Sequence, residues 1–264
     1  PGAASPVRRR SPMSRDSGRP LSGLGRRLII FLQLGVWWLS QFWLPLALLL
    51  AIGVLALALL APALEADGYS KEAQTVYRWL APHDHQLPPR SYFLFGQQGW
   101  IQSYSLDQIL AWGADPQNLR AFTGNEEIGY KMGLNHRMTA IFIGIVVGGL
   151  IWAFAGGRPQ VGGLVFLLMA LPLLVDGFSH LASDLNGSGS RQANLWAAWL
   201  TGNFFPTEFY QQSTIGSLNW WLRSVTGLVF GLGLVWFLFT YISYRFTLIR
   251  LKLEPKLRKV GAIQ

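Results

Sequence analysis

Between residues 28 and 64 the chain carries no charged side chain. A run of that length and uniformity belongs in lipid, because a water-facing helix needs a polar face. As one helix it would be about 55 Å long, at about 1.5 Å per residue, against a hydrocarbon core of roughly 30 Å. The run is therefore expected to divide. Pro45 marks a start or kink for a first span over about residues 42–64. Residues 28–41 then lie partly at the interface, with Trp37, Trp38 and Trp43 in an aromatic belt.

Three further apolar stretches, at about 138–154, 161–182 and 225–244, have span length. Composition agrees: 13% of the 264 residues are charged, against roughly 25% in an ordinary soluble domain. Gly144, Gly148 and Gly149 give the second span a small-residue face suited to close packing, and Gly227, Gly231 and Gly233 lie on the fourth. Pro172 and Asp176-Gly177 are expected to interrupt the third. The fold class expected is all-α, a four-span membrane protein with short helices in its outer connections. Residues 71–80 read as an amphipathic helix, Ser105 and Gln108 as a capping box, and Asp115-Pro116 as the start of another helix.

Charge orients these spans. Residues 1–27 form a basic arm with Arg8, Arg9, Arg10, Arg26 and Arg27, and residues 245–264 a basic tail with Arg245, Arg250, Lys252, Lys256, Arg258 and Lys259. Arg158 sits in the turn between the second and third spans. An even number of spans puts all three on one side, and the excess of positive charge makes that side the cytoplasm of a bacterial inner membrane. The 65–137 and 183–222 connections then lie outside, in a periplasm. A cleaved signal peptide fits poorly, since the apolar run is too long. The basic clusters flank apolar runs and carry no recognition motif, so anionic lipid or a partner subunit is expected on Arg8, Arg9, Arg10, Arg26 and Arg27, and no nucleic acid.

The sequence holds no cysteine, which excludes a disulfide, thiolate metal site or cysteine nucleophile within it. It also lacks a phosphate-cradling loop or dinucleotide fingerprint. All four histidines fall on the outer side: His83, His85, His136 and His180. Asp176 lies one helical turn before His180. An acid inside a span is costly, and three roles are open to it. It could pair with Arg137 or Arg90, bond backbone at the Asp-Gly break, or serve as a metal ligand or proton relay. His83, His85, His136, Asp176 and His180 are the candidate metal donors. No cofactor is expected otherwise; a haem would want facing histidines, and only His180 is near such a position.

The run from His85 to Gly96, His-Gln-Leu-Pro-Pro-Arg-Ser-Tyr-Phe-Leu-Phe-Gly, resembles the first signature of a bacterial family of predicted membrane proteins of unknown function. The resemblance continues through Gly129-Tyr130-Lys131, His136-Arg137, Asp176-Gly177-Phe178 and Leu222-Arg223 to Trp236-Phe237. Members typically carry cysteine where this chain has Asp84, and others near Asn135 and Met138. Those cysteines look like a metal or redox site, which this chain would have lost. His85, Arg90, Arg137, Asp176 and Arg223 remain, and are expected to form a polar clamp holding the outer connections on the bundle. These features together imply a non-catalytic accessory subunit of a larger membrane complex, with an electron-transfer assembly, respiratory or photosynthetic, as the expected host. The alternatives are a stand-alone metal-binding membrane protein using the outer His/Asp cluster, and a small proton-coupled transporter using Asp176.

Overall fold

The computed structural model describes residues 23–187 and 189–264. Four helices are long and apolar enough to cross a membrane: α1 (Gly23–Ala66), α4 (His136–Phe154), α5 (Gly163–Leu185) and α9 (Leu218–Lys259). At one end of the bundle sits a cap. Its first part holds α2 (Ser70–Leu80), β1 (Ser91–Gly96), β2 (Gly99–Gln102), α3 (Leu106–Ala111), β3 (Gly124–Asn125) and β4 (Gly129–Asn135). Its second holds α6 (Ser190–Ala193), α7 (Leu195–Leu200) and α8 (Thr207–Gln211).

The glycines decide how the spans pack. A Cβ on Gly144 of α4 would stand 2.5 Å from the Leu228 carbonyl oxygen of α9, so the two backbones touch there. In lipid, where apolar burial drives no association, such close approach is what holds helices together. Gly149 of α4 meets Leu48 of α1 and Phe239 of α9, while Gly233 of α9 meets Met169 of α5. The spans therefore run α1, α4, α9, α5 across the bundle, with α4 and α9 at its centre.

The expected division of the first apolar run is not there. α1 passes through Pro45 and Pro62 as one helix of 44 residues. Proline removes one hydrogen bond per site, and the neighbouring turns carry the helix through. Packing still distinguishes its two halves. Ala58 lies against Gly133 of β4 and Leu48 against Gly149. The Trp43 ring lies 5.8 Å from that of Trp152, near the far end of α4. Residues 23–42 thus run about 30 Å past the far end of α4, at about 1.5 Å per residue. Pro172 and Gly177 likewise fail to interrupt α5, and α9 continues through the basic tail to Lys259.

The cap corrects the all-α expectation. It contains a four-stranded antiparallel sheet in the order β2-β1-β4-β3. Leu94 pairs with Ile101 on one side and Tyr130 on the other. Gly129 has φ +85, and a Cβ there would stand 2.5 Å from the Leu94 carbonyl oxygen, so only glycine fits. One core joins Ala58 and Ala61 of α1, Val76, Tyr77 and Leu80 of α2, and Met132 and Leu134 of β4. A second joins Phe93, Tyr104, Ile109 and Ile128. The capping box at Ser105 and Gln108 is present and opens α3. Asp115-Pro116 opens no helix: the Asp115 carboxylate accepts from the Gln117 N–H at 2.8 Å and closes a turn instead.

Candidate functional site

Asp176 occupies the cap-side half of α5, 5% exposed. Each of its oxygens takes one guanidinium. Arg137, in the first turn of α4, donates to Oδ2 at 2.5 Å, and Arg191 of α6 donates to Oδ1 at 2.6 Å. Arg137 is aimed by the start of its helix, where the Asn135 side chain accepts from the Met138 N–H at 2.9 Å as N-cap. Arg191 is aimed by Asn194, whose side-chain oxygen accepts from it at 3.0 Å. Asn194 in turn donates to the Tyr210 carbonyl at 2.7 Å and to the Asn219 side chain at 3.1 Å. One carboxylate thereby ties α4, α5, α6 and α9 together.

His180 lies one turn along α5, with Nε2 3.7 Å from Oδ1 of Asp176. Arg191 and Arg223 approach the same Nε2 at 3.4 and 3.3 Å. A guanidinium can only donate, so Nε2 presents its lone pair and Nδ1 carries the proton. Arg223, on α9, is 3% exposed, and one of its terminal nitrogens has no hydrogen-bond partner among the described residues.

The expected clamp is thus assembled in part and with different members. Asp176 and Arg137 pair directly, and Arg223 joins through His180. Arg90 pairs instead with Asp184 at 3.3 Å, at the partly exposed edge of the cluster. His85 is exposed and stands outside it. Arg191 and Asn194 were not singled out from the sequence. Their only signal is a charged and amide-rich segment, Arg191 to Asn194, that precedes an apolar one.

The neighbour of His85 has a different task. Asp84 is buried, and its carboxylate accepts from the Gln86 N–H at 2.7 Å, the Asn135 N–H at 2.6 Å and the Asn135 side chain at 2.7 Å. Burial pushes this carboxyl above its ordinary value, and the three hydrogen bonds offset that only in part. Asp84 stands where the resemblance expects a cysteine, and Asn135 stands near where it expects another. They meet in the fold, and a hydrogen-bonded pair here fastens the loop after α2 to the end of β4.

The five candidate metal donors do not converge. His83 and His85 are exposed on the cap, and His136 is fully buried with its ring 4.3 Å from that of Tyr92. Among the described residues no three His, Asp or Glu side chains gather around a common point suited to a metal ion. Arg8, Arg9 and Arg10 lie outside the described residues, while Arg26 and Arg27 are exposed in the first turn of α1.

Among the described residues the cluster offers donors in excess of acceptors, and with both Asp176 oxygens taken by guanidiniums it fastens α4, α5 and α6 to one another. Comparison with curated proteins and with solved structures gives no match. Residues 120–237 match a family model described as "Predicted membrane protein (DUF2085)". That stretch begins after the His85–Gly96 signature and contains Arg137, Asp176, His180, Arg191 and Arg223. Across those residues the chain is similar to a family described only as predicted membrane proteins, and Asp176 and the groups around it, Arg90 apart, fall within the stretch.

Proposed function

We propose that the protein is a non-catalytic subunit of a larger bacterial inner-membrane assembly, carrying its cap into the periplasm and both basic ends into the cytoplasm. The observation behind this is the part of α1 that runs past α4. Over residues 23–42 its only charges are Arg26 and Arg27. Leu28, Phe31, Leu32, Trp38 and Phe42 are each more than half exposed or close to it. This segment, about 30 Å long, is covered by its own chain on one face only, along the half-buried Ile30, Gln33, Leu34 and Trp37 and the buried Ser40, and its other face needs cover from lipid or from another subunit's helices.

The charge pattern supports the orientation. Arg26 and Arg27, Arg158, and the basic turns of α9 from Arg245 to Lys259 all lie at the end away from the cap. The Asp176 cluster supports the scaffold role, because it holds the cap elements rigidly on the spans.

The test is extraction from the native membrane in a mild detergent, with a photo-crosslinker at Phe31 or Leu39 and identification of whatever co-migrates. A stoichiometric partner crosslinked through those positions is the expected result, and redox subunits among the partners would give the host the sequence leads one to expect. A lone monomer or homodimer, crosslinked only to lipid, refutes the subunit role.

A further inference from the structure

Between α2 and the segment 118–123 the cap holds a pocket of about 350 Å³. Tyr77 and Arg78 of α2, Gln86, Asn118, Arg120 and Lys131 of β4 line it, and no carboxylate does. The three cations use only neutral oxygens. Arg78 donates to the Thr75 hydroxyl at 3.0 Å and the Gln74 carbonyl at 3.3 Å. Arg120 donates to the Ala81 carbonyl at 3.2 Å, and Lys131 to the Arg120 carbonyl at 2.8 Å. Among the described residues none of the three forms a salt bridge.

Lys131 makes the arrangement costly. It is 1% exposed, with its ammonium 5.7 Å from the centre of the Tyr77 ring. The Tyr77 hydroxyl, pushed up by burial, stays protonated and donates to the Lys131 carbonyl. Burial first, and the Arg120 charge second, pull the Lys131 amine down to about 7. Two acids stand near the pocket. Asp84 acts in the opposite sense on Lys131 but is committed to Asn135 and Gln86. Glu65 of α1 accepts from Ser70 and Gln74. Neither closes the charge imbalance, and converging cations in a concave site repel one another unless an anion joins them.

We propose that this pocket binds a small soluble oxyanion, a phosphate or a compact dicarboxylate, with Arg78 and Arg120 gripping it at the rim and Lys131 at the floor. Guanidinium forks suit the planar or tetrahedral oxygens of such groups. The cavity has room for a compact anion together with ordered water. Binding favours the charged amine, so it takes up a proton wherever Lys131 is neutral beforehand.

The test is isothermal titration of the full chain in detergent with sulfate, a tetrahedral probe that does not itself titrate, and with succinate. Each runs at about pH 6 and about pH 8, in buffers of different ionisation heat. Saturable binding of at least one probe is expected, with up to about one proton taken up at about pH 8 and almost none at about pH 6. The double variant Arg78→Gln/Arg120→Gln changes two exposed side chains, keeps its melting behaviour, and loses about tenfold or more in affinity. Lys131→Met abolishes the proton uptake. No saturable heat with either probe at either pH overturns the proposal, as does binding indifferent to the arginine pair. Neither result bears on the subunit role, which rests on α1.

Discussion

Asp176→Asn keeps the shape of the side chain and removes its charge. In the parent, both oxygens accept from guanidiniums at 2.5 and 2.6 Å, and the carboxylate is 4% exposed. Breaking a buried ion pair by removing one partner costs about 3–5 kcal/mol, because the other charge is left behind. Hydrogen bonds inside membranes average nearer about 0.6 kcal/mol, since freed groups find other partners. That relief is closed here: Asp184, the nearest other acid on α5, already serves Arg90 at 3.3 Å. A loss of about 3 kcal/mol or more is therefore expected. Unfolding of the purified protein in mixed micelles, followed by tryptophan fluorescence, measures it. The double variant Asp176→Asn/Arg191→Gln should recover part of the loss, because the stranded Arg191 charge goes with its partner. Asp176→Asn within about 0.5 kcal/mol of the parent, the range of an ordinary surface change, refutes the clamp. If that stable variant also lost proton-linked flux in vesicles, Asp176 would be a coupling carboxylate instead.

Arg90→Ala, at the exposed edge, should cost under about 1 kcal/mol in the same assay, and a larger loss would mean that Arg90 reaches Asp176 in solution. Gly144→Leu should separate α4 from α9 and lower stability by about 1–3 kcal/mol or abolish folding, read as lost monodispersity on size exclusion. Lys131→Met should change the pH profile. The amine is near 7 when folded and 10.5 when unfolded, so stability that is present above the unfolded value is lost as pH falls toward 7. The parent should therefore lose roughly 4 kcal/mol relative to Lys131→Met between about pH 10 and pH 7, and parallel profiles would show Lys131 to be solvated. Asp84→Ala strands the Asn135 and Gln86 donors and should cost about 1–3 kcal/mol, with faster hydrogen exchange confined to the loop after α2.

The spans were legible because lipid imposes a single demand, long uncharged runs, that any window of sequence displays. Their packing faces were legible for a related reason: Gly144, Gly148 and Gly231 serve a local need for close approach that needs no knowledge of the partner. The Asp176–Arg137 pair followed from the cost of an unpaired acid in a span, although Arg90 was an equal candidate until geometry separated them. Helix signals misled where they were incomplete. Asp115-Pro116 has the cap chemistry, but Gln117 and Asn118 follow it instead of an apolar stripe, and the same side chain closes a turn. The sheet was hidden because β1 pairs with β4 across a gap that includes α3, and neither strand alternates polar and apolar residues. β4 is buried at Lys131, Met132, Gly133 and Leu134 in succession, so the period of two that reveals a strand is absent.

Arg191 shows why the rest of the site stayed out of reach, and why the cap and the bundle form one unit. Arg191 is the only basic residue of the 183–222 connection, but nothing in that connection marks it to turn back into the membrane end of the protein. That choice is made by Asn194, held at φ 45 in a conformation that asparagine tolerates better than most side chains. Its side chain binds Arg191, Tyr210 and Asn219 at once. The second half of the cap thereby seats itself on α9 and delivers Arg191 to Asp176. The first half seats itself through Asp84 and Asn135, and Asn135 also caps α4 and so aims Arg137 at the same carboxylate. Both halves of the cap thus converge on Asp176 through one asparagine each. Asn194→Ala should therefore loosen α6 to α8 and weaken the Asp176 cluster together, whereas two independent seats would let α6 to α8 loosen with the cluster unchanged. Hydrogen exchange at the amides of 190–212, read beside the unfolding energy, separates these outcomes, and protection lost in that segment with no change in unfolding energy would show that the cap is merely attached.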